Sequence, residues 1–207
     1  MSMIGHLRAI TMEELWILQQ DPDSIEEFLQ GDVRANAPNL MAALQRVQQI
    51  GLRAIGKPEE KEKARLEILR ELTAAGVKLP ADGPNENGLS LEKSWHSLHY
   101  LLTGSAQEVD SPLGNAILGG KEIGPDLGYG PARFLDAAQV REVSSALNSI
   151  SKNDLAQRFD LNAMVAAKIY ACGDEEELEL AQHYFEHLVK YYAEAANREE
   201  AMLLYIE

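Results

Sequence analysis

Ala201-Met-Leu-Leu-Tyr-Ile206 is six apolar residues in a row, too short for a buried helix and rich in strand formers, so it reads as a β-strand at the C-terminal end of the chain. At the other end, residues 3–10 carry Ile4, Leu7 and Ile10 with little turn chemistry and read as a second strand. Two apolar strands at opposite ends of one globule bury themselves most simply by pairing. Between them the pattern is mostly helical, with a short strand at Ala132 to Leu135. The expected fold is α/β: a small mixed sheet of about four strands, including both termini, covered by helices.

Helix starts are legible by their caps. Thr11 with Glu14 forms a capping box, and Ile10 can staple against Leu15. Ser24 and Glu27 read as a second box ahead of Phe28. Ser90 reads as the cap of a helix whose buried stripe is Leu91, Trp95, Leu98 and Leu102, with Gly104 as its stop. Asp136 with Gln139 opens another helix, Ser151 and Asp160 two short ones, and Asp174 the last. That last helix is apolar at Leu178, Ala181, Phe185, Leu188, Tyr192 and Ala195, alternating steps of three and four. Residues 31–88 look like an insertion into a single domain of 207 residues. Leu40, Leu44 and Val47, then Leu66, Leu69 and Leu72 after Lys57-Pro58, predict an appended helical hairpin.

Composition narrows function. The net charge is −14, with 19 basic against 33 acidic residues. A nucleic-acid binder clusters lysine and arginine to neutralise phosphates, and no such cluster exists here. The run from Lys57 to Arg65 is broken by glutamates. No apolar stretch approaches the roughly 20 residues of a membrane span. The single cysteine, Cys172, excludes an intrachain disulfide. These features predict a cytoplasmic protein with no nucleic acid and no membrane, no cofactor, and an acidic surface suited to a basic protein partner.

The segment Pro112 to Arg133, PLGNAILGGKEIGPDLGYGPAR, concentrates glycine and proline and reads as loop-rich, a shaped surface. It is not a phosphate loop: Gly120-Lys121 is followed by Glu122, without the hydroxyl such a loop needs. Gly128 and Gly130 flank Tyr129, and Pro131 stiffens the exit, which suggests a turn presenting an aromatic ring. Tyr129 and Arg133 make a plausible recognition pair; equally, Tyr129 packs on the core and Arg133 pairs with Asp126. His96 and His99 follow Trp95, and His99 lies on the shoulder of the Trp95, Leu98 and Leu102 stripe, where it could bind a ligand, act as a base, or bond the core edge. His6 could join them. His183-Tyr-Phe-Glu-His187 matches an inverted zinc-peptidase pattern, but the two histidines fall on the polar side of their helix, where solvent should reach them.

Taken in order, Met3-Ile-Gly-His6, Trp95-His-x-Leu-His99-x-Leu-Leu-Thr-Gly104, Pro112-Leu-x-x-Ala116-Ile-Leu-Gly-Gly120, Gly128-Tyr-Gly-Pro-Ala-Arg133 and Ile169-Tyr170 resemble the YfbM-like family, a small bacterial domain of unknown function. The resemblance covers about 1–30 and 89–207, and residues 31–88 depart from it. It implies a compact bacterial cytoplasmic α/β domain and supplies no catalytic residues.

Two functions follow as expectations. The first is a non-enzymatic protein-binding module, such as an inhibitor or immunity protein occluding a basic toxin or enzyme. The alternative is an enzyme or small-ligand binder with a cleft near His99, Tyr129 and Arg133. The candidate binding residues are Trp95, His96, His99, Asp126, Tyr129 and Arg133, with no catalytic and no metal-ligating residue assigned. Three side chains around one pocket would favour the alternative, and an exposed, partly apolar acidic patch the first.

Overall fold

The computed structural model describes residues 2–29, 88–173 and 176–207. The chain divides into two compact units, Met1–Glu26 with Glu86–Glu207, and Glu27–Asn85. The helical hairpin expected over 31–88 lies outside the described residues, apart from Gly88. So does Asp174, the expected start of the last helix. The first unit is α/β.

Its elements run β1 (Gly5–Ile10), α1 (Met12–Gln20), a 3-10 turn (Pro22–Ser24), β2 (Leu89–Glu92), α2 (Trp95–Thr103), α3 (Pro112–Asn115), β3 (Lys121–Asp126), β4 (Pro131–Leu135), α4 (Ala137–Asn148), α5 (Lys152–Arg158), α6 (Leu161–Ala166), α7 (Glu176–Asn197) and β5 (Ala201–Ile206). The five strands form one sheet in the order β2-β1-β5-β4-β3, with every pair antiparallel. The strands at the two ends of the chain pair as expected, over Gly5↔Ile206 to Ile10↔Ala201. The ladder extends one step further, through Ile4 N–H to Glu207 O (2.7 Å) and Glu207 N–H to Ile4 O (3.0 Å).

Register assigns the faces. Leu7, Leu204 and Arg133 lie opposite one another, as do Ala9, Met202 and Leu135, so all six share one face. That face carries the main core, where Leu7, Leu135, Met202 and Leu204 meet Trp95, Leu98 and Leu102 of α2, Val140, Val143 and Leu147 of α4, and Phe185, Leu188 and Tyr192 of α7. His6, Leu203, Tyr205 and Phe134 alternate with them and face the other way. Two tyrosines of α7 tie the layers together. The Ala9 N–H donates to the Tyr191 hydroxyl (2.8 Å), and the fully buried Tyr192 hydroxyl donates to Ala116 O (3.1 Å).

The sheet has five strands and is wholly antiparallel, where a mixed sheet of about four was expected. The extra members have physical reasons. Leu89 and Leu91 are buried while Ser90 and Glu92 are half-exposed, which is the period of a strand. Ser90 therefore caps no helix, and α2 begins at Trp95 after Ser94. The glycine-proline segment is likewise less irregular than its composition suggests. Pro112 occupies the first turn of α3, where its missing N–H costs nothing, and Ser111 Oγ accepts the Gly114 N–H (3.1 Å). Gly124 and Pro125 sit on edge strand β3, where the register with β4 shifts between Ile123 and Asp126.

The caps at Thr11, Asp136 and Ser151 form with their reciprocal partners Glu14, Gln139 and Asp154, and Asp160 accepts the Ala163 N–H. The Ser24 hydroxyl instead turns back to Asp21 O (2.7 Å). Arg158 Nη1 donates to Leu101 O and Leu102 O (3.1 and 3.2 Å), placing a cation on the last carbonyls of α2.

Trp95 is the joint between β1 and α2. It is 6% exposed, and a Cβ placed on Gly5 would lie 2.5 Å from Trp95 Cβ, so only glycine lets the strand approach this closely. Trp95→Ala should destabilise the protein by about 3–5 kcal/mol. A denaturant midpoint close to wild type would show that Trp95 carries little of the packing. Gly5→Ala should also destabilise it, through overlap rather than a cavity.

Candidate functional site

The concave feature nearest the expected residues is a cleft of about 190 Å³ at one end of the helix-covered face. Its walls come from the α2–α3 loop, residues 106–108, from Leu118, from Tyr129 and Arg133, and from Leu204 and Ile206 of β5. Of the three residues around which a cleft was expected, Tyr129 and Arg133 line this one and His99 does not. The six candidate residues do not all reach it.

Tyr129 and Arg133 do. Tyr129 sits between Gly128 (φ 115°) and Gly130 (φ 102°), conformations that L side chains rarely adopt. One carboxylate oxygen of Asp126 accepts both of their N–H groups (2.7 and 2.9 Å), and the Leu127 N–H closes the turn on Gly130 O (3.0 Å). These two bonds favour the ionised form and hold the Asp126 carboxyl below its ordinary range. Asp126 is thus the staple of the turn and not the partner of Arg133. The result is a turn bonded on both sides of Tyr129, which is 41% exposed.

Arg133 is held elsewhere. Its Nη1 donates to Leu118 O (3.1 Å), and its Nη2 meets both Glu122 (3.0 Å) and Glu108. Glu122 lies directly across the ladder from Arg133. Glu108 and Glu122 are largely exposed, while the Arg133 side chain is mostly covered. Glu108 was not among the expected residues: it lies in an irregular loop, where no periodicity marks it. Glu122 could have been found had the β3–β4 hairpin been recognised, since its cross-strand position follows from register alone.

Trp95, His96 and His99 stand behind the cleft wall. Trp95 is in the core, stacked on His96 at 4.7 Å between ring centroids and on Tyr170 at 6.2 Å. His96 Nε2 donates to Ala106 O (3.0 Å), while its Nδ1 accepts the Tyr170 N–H (2.9 Å), which fixes a neutral ring with its proton on Nε2. His99 is fully buried, and its Nε2 donates to Gln107 O (2.9 Å). Its Nδ1 is buried without a partner among the described residues. Burial lowers the pKa of both histidines from 6.5, only partly opposed by the carbonyl bonds. They act together to pin the loop that forms one wall.

His6 does not join them. It lies on the opposite face from Leu7, stacked on Tyr205 at 5.1 Å with Nε2 3.1 Å from Glu207 Oε1. His183 and His187 are half-buried rather than fully solvated, and their rings meet edge to face at 4.7 Å. Glu186 between them pairs with Lys152 (2.7 Å). Among the described residues no group of three or more His, Cys, Asp or Glu could hold a metal ion, and no helix is long and apolar enough to cross a membrane.

The two histidines with lowered pKa link stability to pH. The unfolded chain takes up their protons below about 6.5 while the folded state resists, so stability present above that value is lost as pH falls through it. Melting temperature should therefore drop from pH 7 to 5.5, and His99→Gln should flatten that decline even though it lowers stability at pH 7. An unchanged pH slope in the variant would show that His99 is protonated equally in both states.

Comparison with known proteins adds the family but not an activity. No curated protein matches the chain. Among solved structures it is similar to YfbM from Escherichia coli, described as a protein of unknown function. The TM-score is 0.59 at 18% identity, with 99% of each chain covered, a likeness that shows the fold. The model of the domain of unknown function DUF1877 spans residues 1–205, including the segment that the motifs by themselves leave out, and the chain therefore belongs to the DUF1877 family.

Proposed function

We propose that this protein is a non-enzymatic protein-binding module, in its most concrete form an inhibitor or immunity protein that occludes a basic toxin or enzyme. The observation that carries this reading is the β3–β4 turn. It fixes the backbone on both sides of an exposed aromatic ring by two bonds to Asp126, beside the exposed carboxylates of Glu108 and Glu122. A pre-ordered tyrosine loses little conformational entropy on binding and contributes a large contact area. Carboxylates around it steer a basic partner and sit where rim charges act. The overall charge of −14 adds long-range attraction of the same sign. For the alternative of an enzyme, the buried His99, whose Nε2 is committed to Gln107, supplies no base at the cleft.

Affinity capture from the native cell tests this. Wild-type protein should retain a basic protein at low salt and release most of it near 0.5 M salt, where screening extends only about 4 Å. Tyr129→Ala should weaken retention at least about tenfold, on the scale of an interface anchor, with its melting curve unchanged. Retention that ignores both salt and Tyr129, or no retained protein at any salt, would sink the reading.

A further inference from the structure

We propose that the cleft beside Tyr129 is a receptor for one arginine side chain of a basic partner, an inference that rests on the protein-binding reading above. The charge count decides the sign of the occupant. Two carboxylates, Glu108 and Glu122, converge on the single guanidinium of Arg133, which leaves one negative charge in surplus. An incoming anion would meet both carboxylates and find Arg133 already bonded to them and to Leu118 O. An incoming cation meets a surplus. Glu122, facing Arg133 across the ladder, keeps it paired, so Glu108 on the loop, which also meets Arg133 Nη2, can be shared with the newcomer.

The walls decide which cation. The cleft holds about 190 Å³, room for one long side chain, and Leu118, Leu204 and Ile206 give its stem an apolar bed. Tyr129 borders it with a ring that a planar cation can stack upon. A guanidinium is planar and more weakly hydrated than an ammonium, so it loses less on entering a partly apolar cleft and can bond Glu108 in its own plane. The loop wall needs no reordering, because His96 and His99 already fasten it at Ala106 and Gln107. The site is thus pre-formed for a group that a basic protein would carry.

The test uses the full chain and the blocked tripeptide acetyl-Gly-Arg-Gly-amide, followed by backbone amide NMR. Saturable shifts at Gln107, Glu108, Leu118 and Tyr129 are expected. The neutral citrulline peptide should bind about tenfold more weakly, as should the arginine peptide to Glu108→Gln, each a loss of about 1.4 kcal/mol. Equal binding of the citrulline, lysine or glutamate peptide overturns the assignment, as do shifts that map elsewhere or fail to saturate by about 10 mM. Failure here with a captured partner that still depends on Tyr129 overturns the cleft and leaves the protein-binding reading intact. Arginine-specific saturation without any captured partner supports the cleft and overturns that reading.

Discussion

The pairing of β5 between β1 and β4 is the constraint on which the rest depends. Ala201 to Leu204 are all buried, and this strand alone joins the β1–β2 half of the sheet to the β3–β4 hairpin. Until residues 201–206 are in place, neither half has a neighbour and the core face of the sheet is incomplete. Contacts separated by nearly the whole sequence are costly to close. The helix ahead of β5 offsets that cost locally. Tyr191 on α7 bonds Ala9 of β1, while Tyr192 anchors to Ala116, so α7 brings β5 back to the place where β1 waits.

The same constraint explains how the short motifs met in the sequence come together. Gly5 admits Trp95 at a distance no larger residue would allow. Trp95 stacks on His96, His96 accepts the Tyr170 N–H, and the Tyr170 hydroxyl accepts the Met3 N–H (3.0 Å). The opening Met3-Ile-Gly-His6, the Trp95-His96 pair and Ile169-Tyr170 thus form one connected joint between strand β1, helix α2 and the turn after α6. Their polar atoms are turned inward onto backbone groups, and those bonds hold the joint. His99 is a fully buried imidazole whose Nδ1 has no partner among the described residues, an unusual thing to keep in a core. Here its Nε2 bond to Gln107 places the cleft wall, so the histidine shapes the site from behind.

How much could be read in advance follows from where the determining signal lies. Caps at Thr11, Asp136 and Ser151 are short-range events, complete within four residues, and they form as the residues dictate. The paired end strands were legible because six apolar residues at 201–206 have few other places to go. Strand β2 was obscured because Leu91, Trp95, Leu98 and Leu102 also satisfy a helical stripe, and periodicity alone cannot separate a four-residue strand from the helix it runs into. Strand β3 was hidden by Gly124 and Pro125, which are admissible only because that strand lies at the edge of the sheet. Position in the sheet is a tertiary fact and leaves no mark in a local window.

The candidate site shows the same division. That Gly128-Tyr129-Gly130 is a turn presenting a ring was legible, since the flanking glycines and Pro131 leave few alternatives. Which acid serves which role was not. Asp126 stands closer to Arg133 in the sequence than Glu122 does, yet its oxygen is spent on Gly128 and Gly130, two and four residues away. Once β3 and β4 are paired, register puts Glu122 against Arg133, and the loop fastened by the two buried histidines supplies Glu108. Local bonding thus claims Asp126 for the turn and Asp136 for the cap of α4, leaving the arginine to partners delivered by the sheet and by the loop. Turn rigidity and the charge surplus at the cleft therefore have separate origins: the first is set within five residues of sequence, the second only when the hairpin and the histidine-held loop have both found their places.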